Sequence, residues 1–288
     1  MPDFMKMRRM RENLMFSMLR LAALVNVFAL FSVCAFLVWN GLSALSWDFL
    51  TEVPRNSMTE GGILPCITGT TLLALGSLAV SFPLGVASAV YMHEYAGGSP
   101  FARYIRLGVN NLAGVPSIVF GLFGMSFFVI ACGFGISLLS GLLTLAVLTL
   151  PIIIGTSEEA LRQVPVTLRE ASFALGATQS RTIMSVVLPA ALPGMLTGGI
   201  LGLSRAAGET AAIMFTGVVF FSRQEVDSIF SPVMALSNHI YVLASSGTEI
   251  DKTRPLQYGT ALVLVLLVLG MNFVAVVLRD HLQKRRGQ

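Results

Sequence analysis

The stretch "LGVNNLAGVPSIVFGLFGMSFFVIACGFGISLLSGLLTLAVLTLPIIIGTS" at residues 107–157 contains no charged residue, although charged residues flank it on both sides. A helix needs about 20 mainly apolar residues to cross the hydrocarbon core of a bilayer. The stretch is too long for one such helix and has the length for two, with a turn near Gly133, Gly135 and Gly141. It therefore predicts two consecutive membrane-spanning helices.

The composition of the whole chain also indicates a membrane protein. Of the 288 residues, 55% are hydrophobic and only 12% are charged, and the mean hydropathy is +0.77, far outside the range of soluble domains. Further apolar runs have the length of a crossing. The predicted spans are residues 21–39, 63–92, 107–132, 137–155, 190–221 and 258–278. We therefore expect an all-α integral membrane protein whose six transmembrane helices form one domain at residues 21–278.

The basic residues predict the orientation of these spans, because cytoplasmic loops carry an excess of Lys and Arg. Most of the 19 Lys and Arg residues fall on one side when both termini are placed in the cytoplasm. The first apolar run is too long for the core of a signal peptide and lacks a clear cleavage site, so we expect it to be retained. The segments outside the spans are then a cytoplasmic N-terminal segment at 1–20, a cytoplasmic loop at 156–189, an extracytoplasmic segment at 222–257 and a basic cytoplasmic tail at 279–288. We expect contact with membrane lipids and none with nucleic acid.

The large cytoplasmic loop carries the clearest local helix signals in the chain. Thr167 and Glu170 have the spacing of a capping box, which predicts a helix start. Gly176 can adopt the left-handed conformation that ends this helix, Thr178 can cap a second helix, and Pro189 is expected to stop that helix where the membrane resumes. The resulting helix, glycine break and helix could dock into a groove on another protein, or could form a linker that lies on the bundle.

Two opposite charges interrupt the fifth predicted span. Arg205 and Glu209 stand four residues apart, so on a continuous helix they share a face and can form a pair. A charge at mid-membrane costs between about 3 and more than 10 kcal/mol, which makes such residues candidates for a function. They could line a substrate route, or they could clamp this helix to the helix of a partner subunit.

Other residues of the spans have a packing interpretation and a functional one. Four glycines share the helix of Arg205, and we interpret them as close-packing positions in preference to pore lining. They are Gly198, Gly199, Gly202 and Gly208. Pro116 and Ser117 predict a bent helix with freed backbone groups, which is typical of helices that line a cavity. Ser117 could therefore offer its hydroxyl to a substrate route, although helix bending alone explains the pair equally well.

The segment "EASFALGATQSRTIMSVVLP" at residues 170–189 resembles the EAA loop of ABC importer permeases. The residues that match the pattern of this loop are Glu170, Ala171, Gly176, Leu188 and Pro189. Ser172 replaces the second alanine and Val186 replaces an isoleucine, and both departures are mild. The resemblance implies that this loop supplies coupling helices that sit in a cleft of the nucleotide-binding subunit, and it assigns this role to Glu170 and Gly176.

Three more segments resemble the permeases of phosphate ABC importers, in particular those of the PstA type. They are "MTEGGILPCITGT" at 58–70, "NNLAGVPSIVFGLFG" at 110–124 and "SRAAGETA" at 204–211. The resemblance implies the type I ABC importer permease fold, also called MetI-like, and a membrane subunit of an ATP-driven phosphate importer. It also implies a location in the cytoplasmic membrane.

The same resemblance implies a set of partners. These would be a homologous PstC-like permease, a PstB-like ATPase dimer and an extracytoplasmic PstS-like phosphate-binding protein. The chain has no GxxxxGK[ST] sequence, so we expect no cofactor in this chain and no enzymatic activity, with ATP and Mg held by the ATPase. Its cysteines, Cys34, Cys66 and Cys132, fall in or near predicted spans and indicate neither a disulfide nor a metal site.

Phosphate transport gives the two interrupting charges a role. A guanidinium offers a planar fork of donors that suits the oxygens of phosphate. We therefore expect Arg205 to contact phosphate in passage, and Glu209 to keep the site from holding the anion too tightly for release. No catalytic residue is expected.

Three alternatives remain at this point. The chain could import another oxyanion, such as sulfate, molybdate or phosphonate. It could be a membrane enzyme that acts on lipid phosphates and uses Arg205 as a clamp, and this would predict turnover without ATP. It could also be a passive channel or scaffold, which would leave the EAA-like loop without a partner.

Overall fold

The protein is all-helical over the part of the chain that its computed structural model describes, namely residues 2–55, 60–96, 98–222, 227–246 and 250–284. The helices are α1 (Pro2–Gly41), α2 (Trp47–Thr51), α3 (Leu64–Val90), α4 (Pro100–Ala113), α5 (Ser117–Gly124), α6 (Leu138–Arg162), α7 (Val166–Ala174), α8 (Gln179–Thr182), α9 (Leu188–Gly208), α10 (Leu236–Ser246) and α11 (Ile250–Lys284). Three of them pass directly into wider π-helical turns. These turns are Tyr91–Tyr95 after α3, Met125–Ala131 after α5 and Ile183–Val187 between α8 and α9. The predicted all-α class is confirmed.

Within the described residues, five helical stretches are long and apolar enough to cross a membrane. They are Met10–Ala44, Leu64–Tyr95, Leu138–Arg162, Gln179–Gly208 and Thr253–Lys284. A sixth crossing results when the pair Pro100–Ala113 and Ser117–Ala131, which is bent by 106°, counts as one broken span. The number of spans therefore agrees with the six that the sequence predicts, but one of them is not a straight helix.

The expected helix at residues 107–132 is wrong in its first part. Residues 107–113 belong to α4, and the chain changes direction by 106° before α5 begins at Ser117. Pro116 is extended, with a ψ of 140°, and its ring disfavours helical geometry at the residue before it. The bend predicted at Pro116 and Ser117 is thus confirmed as a complete break in the helix.

The turn after α5 follows the glycine signal in part. Gly133 and Gly135 both have positive φ, at 70° and 68°, which a residue with a side chain adopts only at a cost. Ser137 then accepts a hydrogen bond from the Ser140 amide and caps α6. Gly141 is not part of the turn. It lies inside α6, where an added Cβ would stand 3.0 Å from the Cα of Gly217.

The expected fifth helix at 190–221 is wrong at both ends. Helix α9 ends at Gly208, and residues 209–222 form turns whose backbone bonds to other parts of the chain. The Ser137 amide donates to the Thr216 carbonyl at 3.1 Å, and the Val219 amide donates to the Val233 carbonyl at 3.0 Å. These partners satisfy the backbone groups outside a helix, so the apolar composition of 209–222 does not require one.

Pro189 does not stop a helix, contrary to expectation. Helical structure runs from Gln179 through the π turn into α9 without interruption. In that turn the Leu188 amide donates to the Ile183 carbonyl, five residues back. Proline is tolerated at the start of α9 because it has no N–H to satisfy, and the wide turn before it changes the usual bonding register.

The centre of the bundle is formed by α3, α6 and α9, which pack through small residues. An added Cβ on Gly85 would stand 2.6 Å from the Cγ2 of Ile153, and one on Gly194 would stand 2.6 Å from the Cβ of Ala160. Helix α11 packs on α9, and α1 packs on α11. The side chains of α1 are exposed along nearly its whole described length. We call the end of the bundle that carries residues 163–178 the loop end, and the end that carries residues 209–222 the distal end.

Candidate functional site

Arg205 lies in the last turn of α9, on a face that this chain does not cover. Leu203 and Ala207 on the opposite face are buried against the bundle, whereas Leu201, Arg205 and Gly208 are exposed. Among the described residues, none forms an ion pair or a hydrogen bond with the Arg205 guanidinium. The structure thus presents an exposed guanidinium without a counter-ion of its own chain, at the distal end of an apolar helix.

Glu209 does not pair with Arg205, so the expected i, i+4 pair is wrong. Glu209 follows the last helical residue and is extended, with φ −74° and ψ 135°. Its Oε1 accepts the Ala212 amide at 3.5 Å, and its carbonyl accepts the Ser237 hydroxyl at 2.8 Å. The carboxylate therefore caps the turns that follow α9, because the helix geometry on which the pairing depended ends one residue earlier.

Ser117 is the first residue of α5 and is half-buried. Helix α5 reaches the segment after Glu209, since an added Cβ on Gly121 would stand 2.9 Å from the Ala211 carbonyl oxygen. Within the described ranges, no hydrogen bond joins the Ser117 hydroxyl to another residue. The structure thus brings the helix of Ser117 against the segment of Glu209 without a bond between Ser117 and either charged residue.

The glycines of α9 divide into packed and open positions. An added Cβ would contact the Oγ1 of Thr156 at Gly198, would stand 3.0 Å from the Phe82 ring at Gly199, and would stand 3.3 Å from Ile153 at Gly202. The close-packing interpretation is confirmed for these three. It is wrong for Gly208, which is exposed and has nothing within 4 Å of the Cβ position.

The loop end carries the helix, glycine break and helix that the sequence predicts. Gly176 has a φ of 79°, and its amide donates to the Phe173 carbonyl at 2.9 Å while the Ala177 amide donates to the Ser172 carbonyl at 3.2 Å. These two bonds form a Schellman motif, which ends α7. The Thr178 hydroxyl accepts the Arg181 amide at 3.4 Å and caps α8, as expected.

The predicted capping box of α7 is wrong. Helix α7 begins at Val166, so Thr167 lies inside the first turn, and no side chain caps this end. Pro165 stands at the cap position with a fixed φ of −55°. The ψ of Pro165 is 136°, outside the helical range, and its carbonyl accepts a hydrogen bond from the Leu168 amide at 3.2 Å.

We call residues 166–182, which comprise α7, α8 and the turn between them, the coupling loop, and its surface is exposed and partly apolar. Of the residues that match the EAA pattern, Glu170, Ala171 and Gly176 are exposed, whereas Leu188 and Pro189 are half-buried at the start of α9. Large apolar side chains stand beside the exposed three, and Leu175 is 90% exposed. An apolar side chain uncovered to this degree beside polar neighbours is typical of a contact surface for another protein.

A buried charge cluster holds α7 to the body of the bundle. Arg169 Nη2 donates to Glu94 Oε1 at 3.0 Å and to the Leu161 carbonyl at 3.1 Å, and its Nη1 donates to the Val164 carbonyl at 2.8 Å. The side chains of Arg169 and Glu94 are only 17% and 11% exposed. Arg169 thereby joins α7 to the π turn at the end of α3 and to the end of α6.

A second cluster lies nearby and joins α4 to α6 and α3. The Nε of Arg106 donates to both carboxylate oxygens of Glu158 at 3.1 Å, and its Nη2 donates to the Met92 carbonyl at 3.3 Å. Arg162 approaches the same carboxylate at 3.8 Å. In the sequence, these arginines indicate only the orientation of the spans. The pairs that they form span 52 and 75 residues, so no local pattern indicates them, and the only available signal is a charged residue at the end of an apolar run.

Comparisons with known proteins place this geometry in a family. The family described as "Binding-protein-dependent transport system inner membrane component" matches residues 81–288. Over 279 residues the chain is 33% identical to the probable ABC transporter permease protein YqgI of Bacillus subtilis. This alignment covers 93% of this chain and 95% of that protein. Over 277 residues the chain is 34% identical to the phosphate transport system permease protein PstA of Mycobacterium leprae. This alignment covers 94% of this chain and 90% of that protein.

Solved structures support the same fold. A chain of the inward-facing MetNI methionine ABC transporter superposes with a TM-score of 0.59 at 22% identity, over 77% of this chain and 94% of that one. A chain of a bacterial alginate ABC transporter, solved with its alginate-bound periplasmic protein, gives a TM-score of 0.64 at 15% identity, over 96% of this chain and 95% of that one. The matched family covers more than half of the chain and the curated relatives align over nearly all of it. The chain is therefore a multi-pass membrane protein that belongs to the binding-protein-dependent transport system inner membrane components, the permeases of ABC importers.

Proposed function

We propose that this chain is a permease subunit of an ATP-driven phosphate importer and that Arg205 contacts phosphate during its passage. The observation that carries the proposal is the Arg205 guanidinium, which is exposed on α9 and has no partner among the described residues of its own chain. The PstA name of several relatives supports phosphate as the anion.

A guanidinium in this position needs a compensating environment. Charged side chains in membrane segments almost always face the interior of a bundle or a water-filled cavity, because exposure to hydrocarbon costs several kcal/mol. Since no carboxylate of the described chain neutralises Arg205, the environment has to come from water, from a partner subunit or from a passing anion. Phosphate supplies the charge and the oxygen acceptors that a planar guanidinium fork binds.

Glu209 and Ser117 complete the proposed route. The Glu209 carboxylate stands just after the helix that carries Arg205, where its negative charge weakens the hold of the site on an anion and thereby favours release. The Ser117 hydroxyl has no hydrogen-bond partner in the described part of the chain, so it can donate to a phosphate oxygen. Because the exposed face of α9 is open toward a partner, the homologous PstC-like permease supplies the remaining wall of the route.

The rest of the assembly follows from this role. Two copies of a PstB-like ATPase hold ATP and Mg, and they contact the exposed Glu170, Ala171 and Gly176 of the coupling loop. The half-buried Leu188 and Pro189 transmit the displacement of this loop into α9. A PstS-like binding protein delivers phosphate to the distal end, both termini lie in the cytoplasm, and the protein resides in the cytoplasmic membrane. Phosphate undergoes no covalent change, and the chain itself is not an enzyme.

Uptake of phosphate into proteoliposomes that contain the complete complex tests this function. We expect Arg205→Ala to lower ATP-dependent uptake by about tenfold or more, since hydrogen bonds to a charged group contribute about 1.5–3 kcal/mol. Arg205→Lys keeps the charge but loses the planar fork of donors, so its uptake should lie between that of the wild type and that of Arg205→Ala. The matched control is Arg254→Ala, which removes another exposed arginine near the start of α11. Unchanged uptake in an assembled Arg205→Ala complex would contradict the proposed contact.

The choice of anion is tested in the same vesicles. Sulfate, molybdate and phosphonate, each added in excess, should leave phosphate-dependent ATP hydrolysis unaltered. If one of them stimulates hydrolysis more strongly than phosphate does, that anion is the substrate. Turnover of a lipid phosphate by the purified chain without ATP would instead indicate a membrane enzyme.

A further inference from the structure

Several side chains bind the coupling loop to the end of α3. Besides the Arg169 contacts, the Gln179 side-chain amide donates to the Glu94 carbonyl at 2.9 Å. The hydroxyls of Tyr95 and Ser180 lie 3.3 Å apart. Both helices of the loop are therefore attached to the same π turn, Tyr91–Tyr95, at the end of a membrane-spanning helix.

The two loop helices are also joined to each other. The hydroxyls of Ser172 in α7 and Thr182 in α8 lie 2.8 Å apart, and Thr182 is buried. The Schellman motif at Gly176 fixes the turn between them. The loop is thus one compact unit, and its attachment to α3 depends mainly on Arg169 and Glu94, the only charged pair within the described residues that joins the two.

The burial of this pair gives it mechanical importance. Exposed ion pairs contribute little, but a pair that is almost closed off from solvent and bonded to backbone carbonyls costs several kcal/mol to break. Arg169 uses three donor contacts on three different partners, which fixes the direction of its guanidinium as well as its charge. Without Arg169, no side chain of α7 would bond to this π turn within the described residues, and the connection at residues 163–165 would lose the guanidinium that holds the Val164 carbonyl.

We propose that Arg169 and Glu94 are positioning residues that make the coupling loop and α3 move as one body. A displacement imposed on the exposed surface of α7 then reaches α3 and is not absorbed by bending at residues 163–165. This inference rests on the proposed function, because it assigns the loop a mechanical role in ATP-driven import. Arg169 stands directly before the exposed Glu170, so one residue faces the partner and its neighbour faces the bundle.

The test is the number of phosphate ions transported per ATP hydrolysed by the reconstituted complex. We expect Arg169→Met, which keeps an apolar stem and removes the fork, to lower this ratio by about fivefold or more, in the usual range of coupling energies. Glu94→Gln should act in the same direction. Arg169→Lys keeps the charged contact to Glu94 and should recover part of the ratio. An unchanged ratio in Arg169→Met would overturn the proposal.

Two other arginines at the same end of the bundle serve as controls. Arg162→Gln removes a side chain that is 53% exposed, and it should change neither stability nor the ratio. Arg106→Gln breaks the contacts to the Glu158 carboxylate and to the Met92 carbonyl of the π turn, neither of which involves α7. It should lower thermal stability and leave the ratio intact. If Arg106→Gln lowers the ratio as much as Arg169→Met does, the effect is general loosening of the bundle and the proposal fails.

A second measurement does not depend on phosphate. Spin labels on the exposed positions of Thr167→Cys in α7 and Leu84→Cys in α3, with the native cysteines replaced by alanine, report the distance from the loop to α3. In the wild type, the distance between the labels should be the same with and without ATP. Arg169→Met should broaden the distribution of this distance. A nucleotide-dependent distance in the wild type would overturn the proposal. If the wild-type complex transports no phosphate, the proposed function fails, and the spin labels still decide whether the loop and α3 move together.

Discussion

Arg205 and Glu209 stand four residues apart in the sequence, yet the end of α9 at Gly208 separates their roles. Arg205 remains on the helix with an exposed guanidinium, whereas the Glu209 carboxylate accepts the Ala212 amide at 3.5 Å. The two charges are therefore not a structural pair that neutralises itself. Each has to be tested by itself, since loss of one does not leave the other as an orphaned partner.

Glu209 should have a structural effect and a transport effect that two substitutions separate. Glu209→Gln keeps a side-chain oxygen to accept the Ala212 amide, so the fold should be retained while the maximal rate of phosphate uptake falls. Glu209→Ala also removes the cap, which should cost about 1 kcal/mol of stability. Uptake assays and thermal unfolding of the same complexes measure the two effects. Equal stability of both variants would contradict the capping role, and wild-type uptake by Glu209→Gln would contradict the role in release.

Only the local features of this fold can be predicted from the sequence. Apolar runs predicted the membrane helices because hydropathy is a property of a short window, and Gly176 predicted the end of α7 because a positive φ is a property of one residue. The end of α9 was missed, because residues 209–222 satisfy their backbone through contacts with distant segments. The bond between Arg169 and Glu94 was missed because it joins positions 75 residues apart. The functional candidates at 205 and 209 were found from charge alone, but their geometry was not.

Gly198 and Gly208 lie on the same helix but should respond differently to substitution by alanine. At Gly198 the new methyl group would contact the Thr156 hydroxyl, whereas at Gly208 it would meet nothing within 4 Å. Overpacking a close helix contact typically costs about 1–3 kcal/mol, so Gly198→Ala should lower the thermal stability of the complex. Gly208→Ala should leave stability nearly unchanged. Equal losses of stability in the two variants would contradict the packing described here for α9.

Gly176→Ala should destabilise the coupling loop through the backbone alone. Its φ is 79° and nothing lies within 4 Å of the Cβ position, so the cost is the left-handed conformation, about 1–2 kcal/mol for a residue with a side chain. The matched control is Gly155→Ala in α6, which also has open space and should stabilise the helix by about 0.5–1 kcal/mol. Hydrogen exchange of residues 166–182 measures the local effect. Unaltered protection of this segment in Gly176→Ala would show that the loop conformation does not depend on glycine.

His239 should make the stability of the distal end depend on pH. It lies in the short helix α10, outside the membrane-spanning candidates, with Nδ1 3.3 Å from the Thr260 hydroxyl and Nε2 buried without a described partner. Burial lowers the pKa of His239 to about 4. An unfolded chain has a histidine pKa of about 6.5, so between these values the unfolded state binds more protons, and stability is lost as the pH falls.

This loss should be specific to His239 and should appear in thermal unfolding of the complex at about pH 7 and about pH 5. His239→Gln cannot titrate and can still bond to Thr260, so its unfolding temperature should fall less between the two conditions than that of the wild type. His281→Gln, at an exposed position of α11, should keep the wild-type dependence. Equal losses of stability on acidification in His239→Gln and the wild type would contradict this prediction. Removal of the imidazole would then not have changed the difference in bound protons between the unfolded and folded states.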